Sequence, residues 1–489
     1  MLGPDTFQFL NETGTLSELG WDGPEREALW RYNQHYFDDL NAHDHAGRTA
    51  WHRALLENWI EANPPATGAG WAPYPTSLRI VNWIKWALGG NNLTDAVEHS
   101  LAIQARWLLK RLEWHLLGNH LFANAKALIF AGLYFEGPEA DRWLQKGFDI
   151  LRREVPEQIL ADGGQFELST MYHAIALEDM LDLANLFRCF ETSLSPSQKT
   201  LKADWLARID DMLSWHQSMC HPDGEISFFN DAAFNIAPSP AELSSYAMRL
   251  GFAPPPAPER LTWLSSSGYV RLDAHNAAAL LDVAPIGPDY LPGHAHADTL
   301  SFELSLFGSR VFVNSGTSVY GLGEERLRQR GTRAHNTVAI GGQNSSEVWS
   351  GFRVARRARP TLPVIERDDG LSVECSHDGY SRLKDGPTHT RRWLLGPQKF
   401  QIEDVLSTQS YSAEARFHLH PDVRGTVASD GASGTLLLAN GISVDWQSTG
   451  GRTKLEAATW HPEFGVTRPT SCLVIPISDH RSSLTLSWA

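Results

Sequence analysis

The sequence predicts a multidomain α+β chain, with paired amphipathic helices in its first half and an antiparallel β-sandwich in its second. Two observations predict this. From about residue 24 to 250 apolar residues recur at intervals of three and four, the spacing of one helix face. From 260 to 489 short branched or aromatic runs alternate with Gly, Pro, Asp and Asn, and no helical pattern intervenes. A Pro-rich break, GFAPPPAP at 251–258, separates the two textures. The 489 residues exceed the roughly 100–200 expected of one domain.

In chain order, residues 1–23 read as an N-terminal extension. Residues 24–250 read as helical hairpins, with helices expected at 49–63, 77–90, 96–118, 120–137 and 170–190. Gly, Pro and Asn punctuate their ends. This periodicity fits a bundle, a solenoid or a toroid equally. Residues 251–259 form the linker. Expected strands include SGYVRLDA, NAAALLDVAP, LSFELSLFGSRVFVNSG, NTVAIGG, LSVECSH, TRRWLLGPQKFQIEDVLS, ARFHLHPD, GTLLLANGISVDWQS and RSSLTLSWA.

Composition narrows function. No segment approaches the ~20 apolar residues that span a bilayer, so membrane insertion is not expected. A net charge of −15 argues against nucleic-acid binding. It leaves room for a local basic cleft on an acidic body. The four cysteines are far apart and read as small buried apolar residues rather than a disulfide frame or zinc site. The N-terminus shows no cationic leader. Nothing indicates an oligomeric state.

Polar and aromatic clusters interrupt both textures. In GNHLFANAKAL (118–128), Asn119 and His120 stand at the mouth of an apolar helix. Asn119 is a natural N-cap, and the helix start is also a rigid platform for presenting polar groups. Similar clusters are LWRYNQHYFDDL, WAPYPTSLRIVNW, DGGQFELSTMYH and HPDGEISFFND. Trp and Tyr beside polar groups suit sugar rings, with their apolar faces and hydroxyl edges. In GHAHAD (293–298), a His-x-His on a strand aims His294 and His296 at one face. His335 of RAHNT supplies another imidazole, so a zinc site is conceivable. Arg326, Arg328, Arg330 and Arg333, then Arg353, Arg356, Arg357 and Arg359, flank that segment and suit carboxylates or sulfates.

The motifs LWRYNQHYFD, PYPTSLRIVNW, GNHLFANAKALIFAGLYF, DGGQFELSTMYH, GHAHADTLSFEL, FVNSGTSVYG, RGTRAHNTV and SEVWSGFRVARRA together resemble the heparinase II/III-like family of polysaccharide lyases. The resemblance implies an N-terminal (α/α) toroid followed by a β-sandwich. It also implies cleavage of an acidic, uronate-containing polysaccharide by β-elimination. The glycan could be heparin-like, alginate-like or a bacterial exopolysaccharide. On the family pattern, Asn119 and His120 match the group that holds the substrate carboxylate, Tyr172 the catalytic tyrosine and His294 an active-site histidine. Tyr36, Arg79, Glu167, His173, Arg330, Arg333 and Trp349 become candidates for binding substrate. His296 and His335 match ligands of one divalent metal, most naturally zinc. The third ligand, an Asp in the family, is replaced by Asn314 in VNSGT, which weakens the site. Periplasmic residence follows from the resemblance, and cytoplasmic residence from the absent leader. Two alternatives stand beside the lyase. One is a catalytically weak glycan-binding protein of an exopolysaccharide system. The other is a zinc hydrolase suggested by HAHAD, although Thr299 follows where such enzymes carry a further His.

Overall fold

Helix forms wherever the three-and-four spacing is strongest. The structure, a computed structural model, describes residues 1–367 and 370–489. Two compact units emerge: Met1–Gln158 with Asp179–Ala207, and Ile159–Glu178 with Arg208–Ala489. Helical residues on both sides of 159–178 and 208–250 are thus distributed between the units, and the helix Thr170–Cys189 contributes to each.

The first unit opens with an antiparallel hairpin, Thr6–Phe9 against Glu12–Thr15, within the expected extension. Helices follow, among them Thr49–Ala62, Pro73–Leu88, Asp95–Leu109, Gly118–Tyr134 and Pro138–Gln158. The expected helix 96–118 is shorter than its apolar pattern. It stops at Leu109 because the buried Asn124 amide accepts the Glu113 N–H (2.8 Å), fixing a turn. Helix Gly118–Tyr134 is buried on nearly every face. Its neighbour Pro138–Gln158 approaches closely because two crossing positions lack a side chain. A Cβ on Gly132 would lie 2.5 Å from the Leu144 nitrogen, and one on Gly147 would lie 2.6 Å from Ile129 Cγ1. Inside this unit Lys126 is buried and neutralised by Asp179 (2.7 Å) and Asp182 (2.6 Å), as a buried cation requires.

Among the described residues the second unit contains antiparallel sheets of five, eight and four strands and a two-stranded hairpin. The five-stranded sheet runs in chain order from Leu261–Leu264 to Ser309–Phe312. Each expected strand segment contains strand, and Leu261–Leu264, Lys454–Trp460 and Arg468–Pro476 add to them. Phe302 and Phe312 of the five-stranded sheet share one core with Val373, Trp393, Phe400 and Leu484 of the eight-stranded sheet and Val338, Phe417 and Ile475 of the four-stranded sheet. Sheets that bury their faces in one core form layers. Lys399–Leu406 alternates exposed and buried residues, whereas Ala277–Asp282 and Phe302–Leu306 are buried throughout. The strand-rich half also holds a helix the sequence did not announce, Glu324–Arg330, whose one-sided apolar content is a single Leu. Cys220, Cys375 and Cys472 are buried as expected, but Cys189 is exposed. Among the described residues no helix is long and apolar enough to cross a membrane.

Gly147→Ala tests the helix contact. Alanine gains about 1 kcal/mol of helix propensity, yet overpacking costs about 1–3 kcal/mol. The expected net result is a lower melting temperature. A variant that melts at or above the parent would show that the helices separate without cost.

Candidate functional site

In the first unit, two backbone residues at positive φ, Leu117 (φ 55°) and Gly118 (φ 51°), turn the chain into the helix Gly118–Tyr134. The Leu117 N–H donates to the Glu113 carbonyl (3.0 Å), and Gln158 Nε2 donates to the Gly118 carbonyl (3.0 Å). Leu117, not Asn119, occupies the N-cap position, and no side chain caps this helix. Asn119 is therefore free of the capping role and lies near the Tyr74 hydroxyl. The His120 ring lies 4.5 Å from the Tyr74 ring, and its Nδ1 is 3.1 Å from Glu113 Oε1. Tyr36 meets Tyr74 edge-on at 6.0 Å. Three predicted residues, Tyr36, Asn119 and His120, thus converge on Tyr74. Burial pushes the Tyr74 and Tyr36 hydroxyls above their usual pKa and keeps both protonated.

The second unit holds the other predicted group. The chain enters the helix at Thr170 through Leu168, at φ 61°. Ser169 Oγ accepts the Tyr172 N–H (3.1 Å) and donates to the Asp231 carbonyl (2.5 Å). Tyr172 stacks on His294, with ring centroids 3.8 Å apart and planes 15° from parallel. Its hydroxyl is 2.9 Å from that of Tyr320. His294 Nδ1 is 2.5 Å from Glu167 Oε2. A carboxylate at Nδ1 places the proton there and leaves Nε2 as a lone-pair acceptor. Burial raises the Tyr172 pKa well above 10, and the Tyr320 hydroxyl and Asp231 charge push the same way. Tyr172 is accordingly a proton donor at neutral pH.

Behind these rings lies buried charge. Asp231 receives both Arg326 terminal nitrogens, one at Oδ1 and one at Oδ2 (2.7 Å), and faces His296 Nε2 at 2.9 Å. Although burial opposes ionisation, the Arg326 guanidinium and the His296 contact hold the Asp231 carboxyl far below the usual range. His294 and His296 do not share a strand face. GHAHAD is an irregular loop, and its two imidazoles diverge.

Several predicted substrate residues are structural. Arg330 is buried and donates to the carbonyls of Ala295, Ser350, Gly351 and Arg353 at 2.9–3.4 Å. Arg79 is buried against Trp59 and bonded to Gln104 Oε1 (2.9 Å). His173 is buried too, with Nδ1 accepting the Gln165 N–H and Nε2 donating to the Met212 carbonyl. Arg333 is half-exposed but paired with Glu414 (2.8 Å). Trp349 is 54% exposed and open to a ligand.

The expected metal ligands divide. His335 Nδ1 donates to the Gly331 carbonyl (2.9 Å), which leaves its Nε2 as a lone pair facing His296 Nδ1 at 3.0 Å. With His296 Nε2–H given to Asp231, the two facing nitrogens are both acceptors. Burial lowers both histidines' pKa values, that of His335 to about 4, so a shared proton is disfavoured. Facing lone pairs with outward N–H groups held by carboxylate and carbonyl suit a cation. The Asn314 amide is committed elsewhere: Oδ1 accepts the Asn336 N–H (3.1 Å) and Nδ2 donates to the Phe228 carbonyl (2.9 Å). Among the described residues no group of three His, Cys, Asp or Glu is arranged to hold a metal.

Tyr320, Asp231, Tyr74 and Glu113 were not singled out from sequence. The first three stand inside quoted motifs, FVNSGTSVYG, HPDGEISFFND and PYPTSLRIVNW. Glu113 had no signal beyond a charge near the end of an apolar run.

Helical hairpins in one unit and layered antiparallel sheets in another are an architecture shared with solved polysaccharide lyases. The fold is similar to that of a heparinase III crystal structure (TM-score 0.73, 19% identity, covering 94% of this chain and 76% of that one). It is also similar to a mutant of heparan sulfate lyase HepC from Pedobacter heparinus (TM-score 0.67, 20% identity, 99% and 81%). Residues 29–246 match the model for the heparinase II/III N-terminus, and residues 256–489 match the heparinase II/III-like C-terminal model. The chain belongs to the heparinase II/III-like family. Among curated relatives, a heparin-sulfate lyase of Bacteroides stercoris is 30% identical over 254 residues, 48% of this chain and 37% of that protein. The FtsZ-localized protein C of Caulobacter vibrioides is 25% identical over 502 residues, 94% and 82% of the respective chains.

Asp231→Asn tests the buried support. Removing one partner of a buried ion pair typically costs about 3–5 kcal/mol, so the variant's thermal unfolding should fall by many degrees. An unchanged melting curve would mean that Arg326 is neutralised by another group.

Proposed function

We propose that the protein is a polysaccharide lyase that cleaves a uronate-containing acidic glycan by β-elimination. The observation that carries this reading is the stack of Tyr172 on His294, with Glu167 at the imidazole Nδ1 and Tyr320 at the phenol. In the proposed reaction the His294 Nε2 lone pair accepts the C5 proton of the uronate. Electrons of the broken C5–H bond form the C4=C5 double bond as the C4–O4 bond breaks, and Tyr172 gives its proton to O4. Tyr172 fits the acid role because its pKa is raised, and Glu167 fits the orienting role because it fixes the imidazole tautomer. The charged uronate carboxylate resists enolate formation, so a hydrogen-bond donor must accompany it. On the family resemblance this role falls to the Asn119 amide, with His120 beside it. Tyr36 and Trp349 remain candidates for sugar contacts.

A divalent cation between His296 and His335 is proposed as a structural element, supported by their facing lone pairs. When bound it would fix the loop that carries His294, and no proton transfer passes through it.

A second reading, a glycan-binding member without lyase turnover, is favoured by one observation. One relative that aligns over 94% of the chain is named for FtsZ localisation and not for a lyase activity, whereas heparin-sulfate lyases of Bacteroides stercoris and Bacteroides thetaiotaomicron match over 48% and 78% of it.

Purified protein offered a panel of acidic polysaccharides should generate ultraviolet-absorbing unsaturated uronate. Binding without absorbance on every member of the panel would select the second reading. On a verified substrate, Tyr172→Phe should lower kcat by about 10²–10⁴-fold while binding persists. Asn119→Ala should reduce kcat more than it raises KM, because the lost interaction grows in the transition state. Since Tyr172 keeps its proton beyond pH 10, kcat should show no alkaline limb from its ionisation below about pH 10. An alkaline limb near neutrality that disappears in Tyr172→Phe would contradict the acid role. His335→Ala should lower the divalent-metal content found by elemental analysis, and a parent protein that takes up no divalent metal would remove the cation.

A further inference from the structure

Two buried arginines, Arg330, expected from the sequence to meet substrate, and Arg326, have another use. The hairpin formed by Val348–Trp349 and Arg353–Val354 turns through Ser350, at φ 55°, and Gly351. Arg330 donates Nε and Nη2 to the Ala295 carbonyl (3.0 and 2.9 Å) and Nη1 to the Ser350 and Gly351 carbonyls (3.2 and 3.0 Å). Arg326, already paired with Asp231, adds its Nε to the Gly351 carbonyl (3.0 Å). The hairpin tip is thereby fastened to the residue after His294 and to the buried carboxylate. Gly351 admits no side chain, since a Cβ would meet the Gly321 carbonyl oxygen at 2.3 Å, in the segment next to Tyr320.

This fastening fixes the ring of Phe352. It stands edge-to-face with His294 (6.5 Å, 86°) and with Tyr320 (5.4 Å, 70°), and Arg326 lies 5.3 Å from its centroid. Phe352 nevertheless remains 40% exposed, with Trp349 at 54% on the same hairpin and Leu322 at 77% beside its tip. Loops ordinarily hide such side chains, and a grouped exposed apolar surface marks a binding site. A hairpin with two buried guanidiniums spent on its tip is built to hold that surface still. Its occupant follows from what it adjoins: the hydroxyls of Tyr172 and Tyr320 and the imidazole of His294. A ligand that meets this polar set with one edge and an aromatic ring with its face is a pyranose.

We propose that Phe352 forms a sugar-stacking subsite at the rim of the His294 site, and that Arg330 is the positioning residue that holds it there. The inference rests on the reading that this site takes a glycan. It adds a binding residue and a reason for the buried arginine.

The test is calorimetric binding of heparan sulfate oligosaccharides to the full chain. Phe352→Ala should weaken binding at least tenfold with an unchanged melting temperature, and Phe352→Tyr should stay within threefold of the parent. Arg330→Lys keeps the charge but cannot reach the same set of carbonyls, and should weaken binding similarly. Combined with Phe352→Ala it should add little, because both act through one ring. Parent-like binding by Phe352→Ala, or no saturable binding of these oligosaccharides by the parent, overturns the subsite. Additive losses overturn the positioning role. Should Arg330→Lys fail to fold, the Phe352 variants decide the subsite alone. Ultraviolet absorbance reports the lyase reading separately: binding lost in Phe352→Ala with no unsaturated product from any glycan would leave the subsite standing and remove the lyase.

Discussion

The arrangement around Tyr172 depends on one buried carboxylate. Asp231 is charged in an interior that resists charge, and it persists because Arg326, His296 and Thr317 Oγ1 surround it. Its backbone is used as fully as its side chain. The carbonyl accepts Ser169 Oγ, which in turn accepts the Tyr172 N–H, and the N–H donates to the His294 carbonyl (3.0 Å). One residue therefore sets the start of the tyrosine helix, the loop of the histidine and, through Arg326, the hairpin of Phe352. The histidine loop is irregular and the hairpin has only two residue pairs, so neither carries many ladder hydrogen bonds of its own.

The regular part of this structure was legible because its signals are local. Period-two alternation marks Lys399–Leu406, and three-and-four spacing marks Thr49–Ala62. The helix Glu324–Arg330 was not legible, since EERLRQR has one apolar residue and is held by the burial of Arg326 and Arg330. The same burial defeated the reading of the arginines. Arginine is rarely enclosed without a carboxylate, so a run of them reads as an open cationic face. The carbonyls that enclose Arg330 come from residues 295 and 350–353, a convergence no local pattern announces. His-x-His misled for a related reason: strand geometry would align the rings, but the Ala295 carbonyl accepts from Arg330, the Ala297 N–H donates to the Arg330 carbonyl and the Ala297 carbonyl accepts from Thr332 Oγ1, so none of these groups joins a sheet.

The candidate site was legible as a set of motifs but not as a geometry. Tyr172 and Glu167 share one segment, His294 comes from another more than a hundred residues away, and only the resemblance linked the two. Tyr320 escaped notice because a tyrosine in a Gly- and Ser-rich turn carries no chemical mark until another hydroxyl faces it at 2.9 Å. Asn119 was assigned two roles, cap and ligand. The positive φ of Leu117 and Gly118 separates them, because it makes the turn without a side-chain cap and leaves the amide near Tyr74.

The distribution of charge follows from the same economy. Around the histidine loop Arg326 serves Asp231, Arg330 serves carbonyls, Arg333 serves Glu414, Arg356 serves Glu347 and Arg357 serves Asp289. The buried cations spent in this way, Arg326 and Arg330, cannot also neutralise a sulfate without exposing what they hold. On a chain of net charge −15, an acidic glycan would then meet directed hydrogen bonds and ring contacts beside the exposed arginines of this run, Arg353 and Arg359. Long-range attraction falls off within about 8 Å at physiological ionic strength, whereas stacking on a fixed ring and donation from a fixed amide do not depend on screening. A site built that way must be rigid before the ligand arrives, and the buried carboxylate with its arginine is what makes it so.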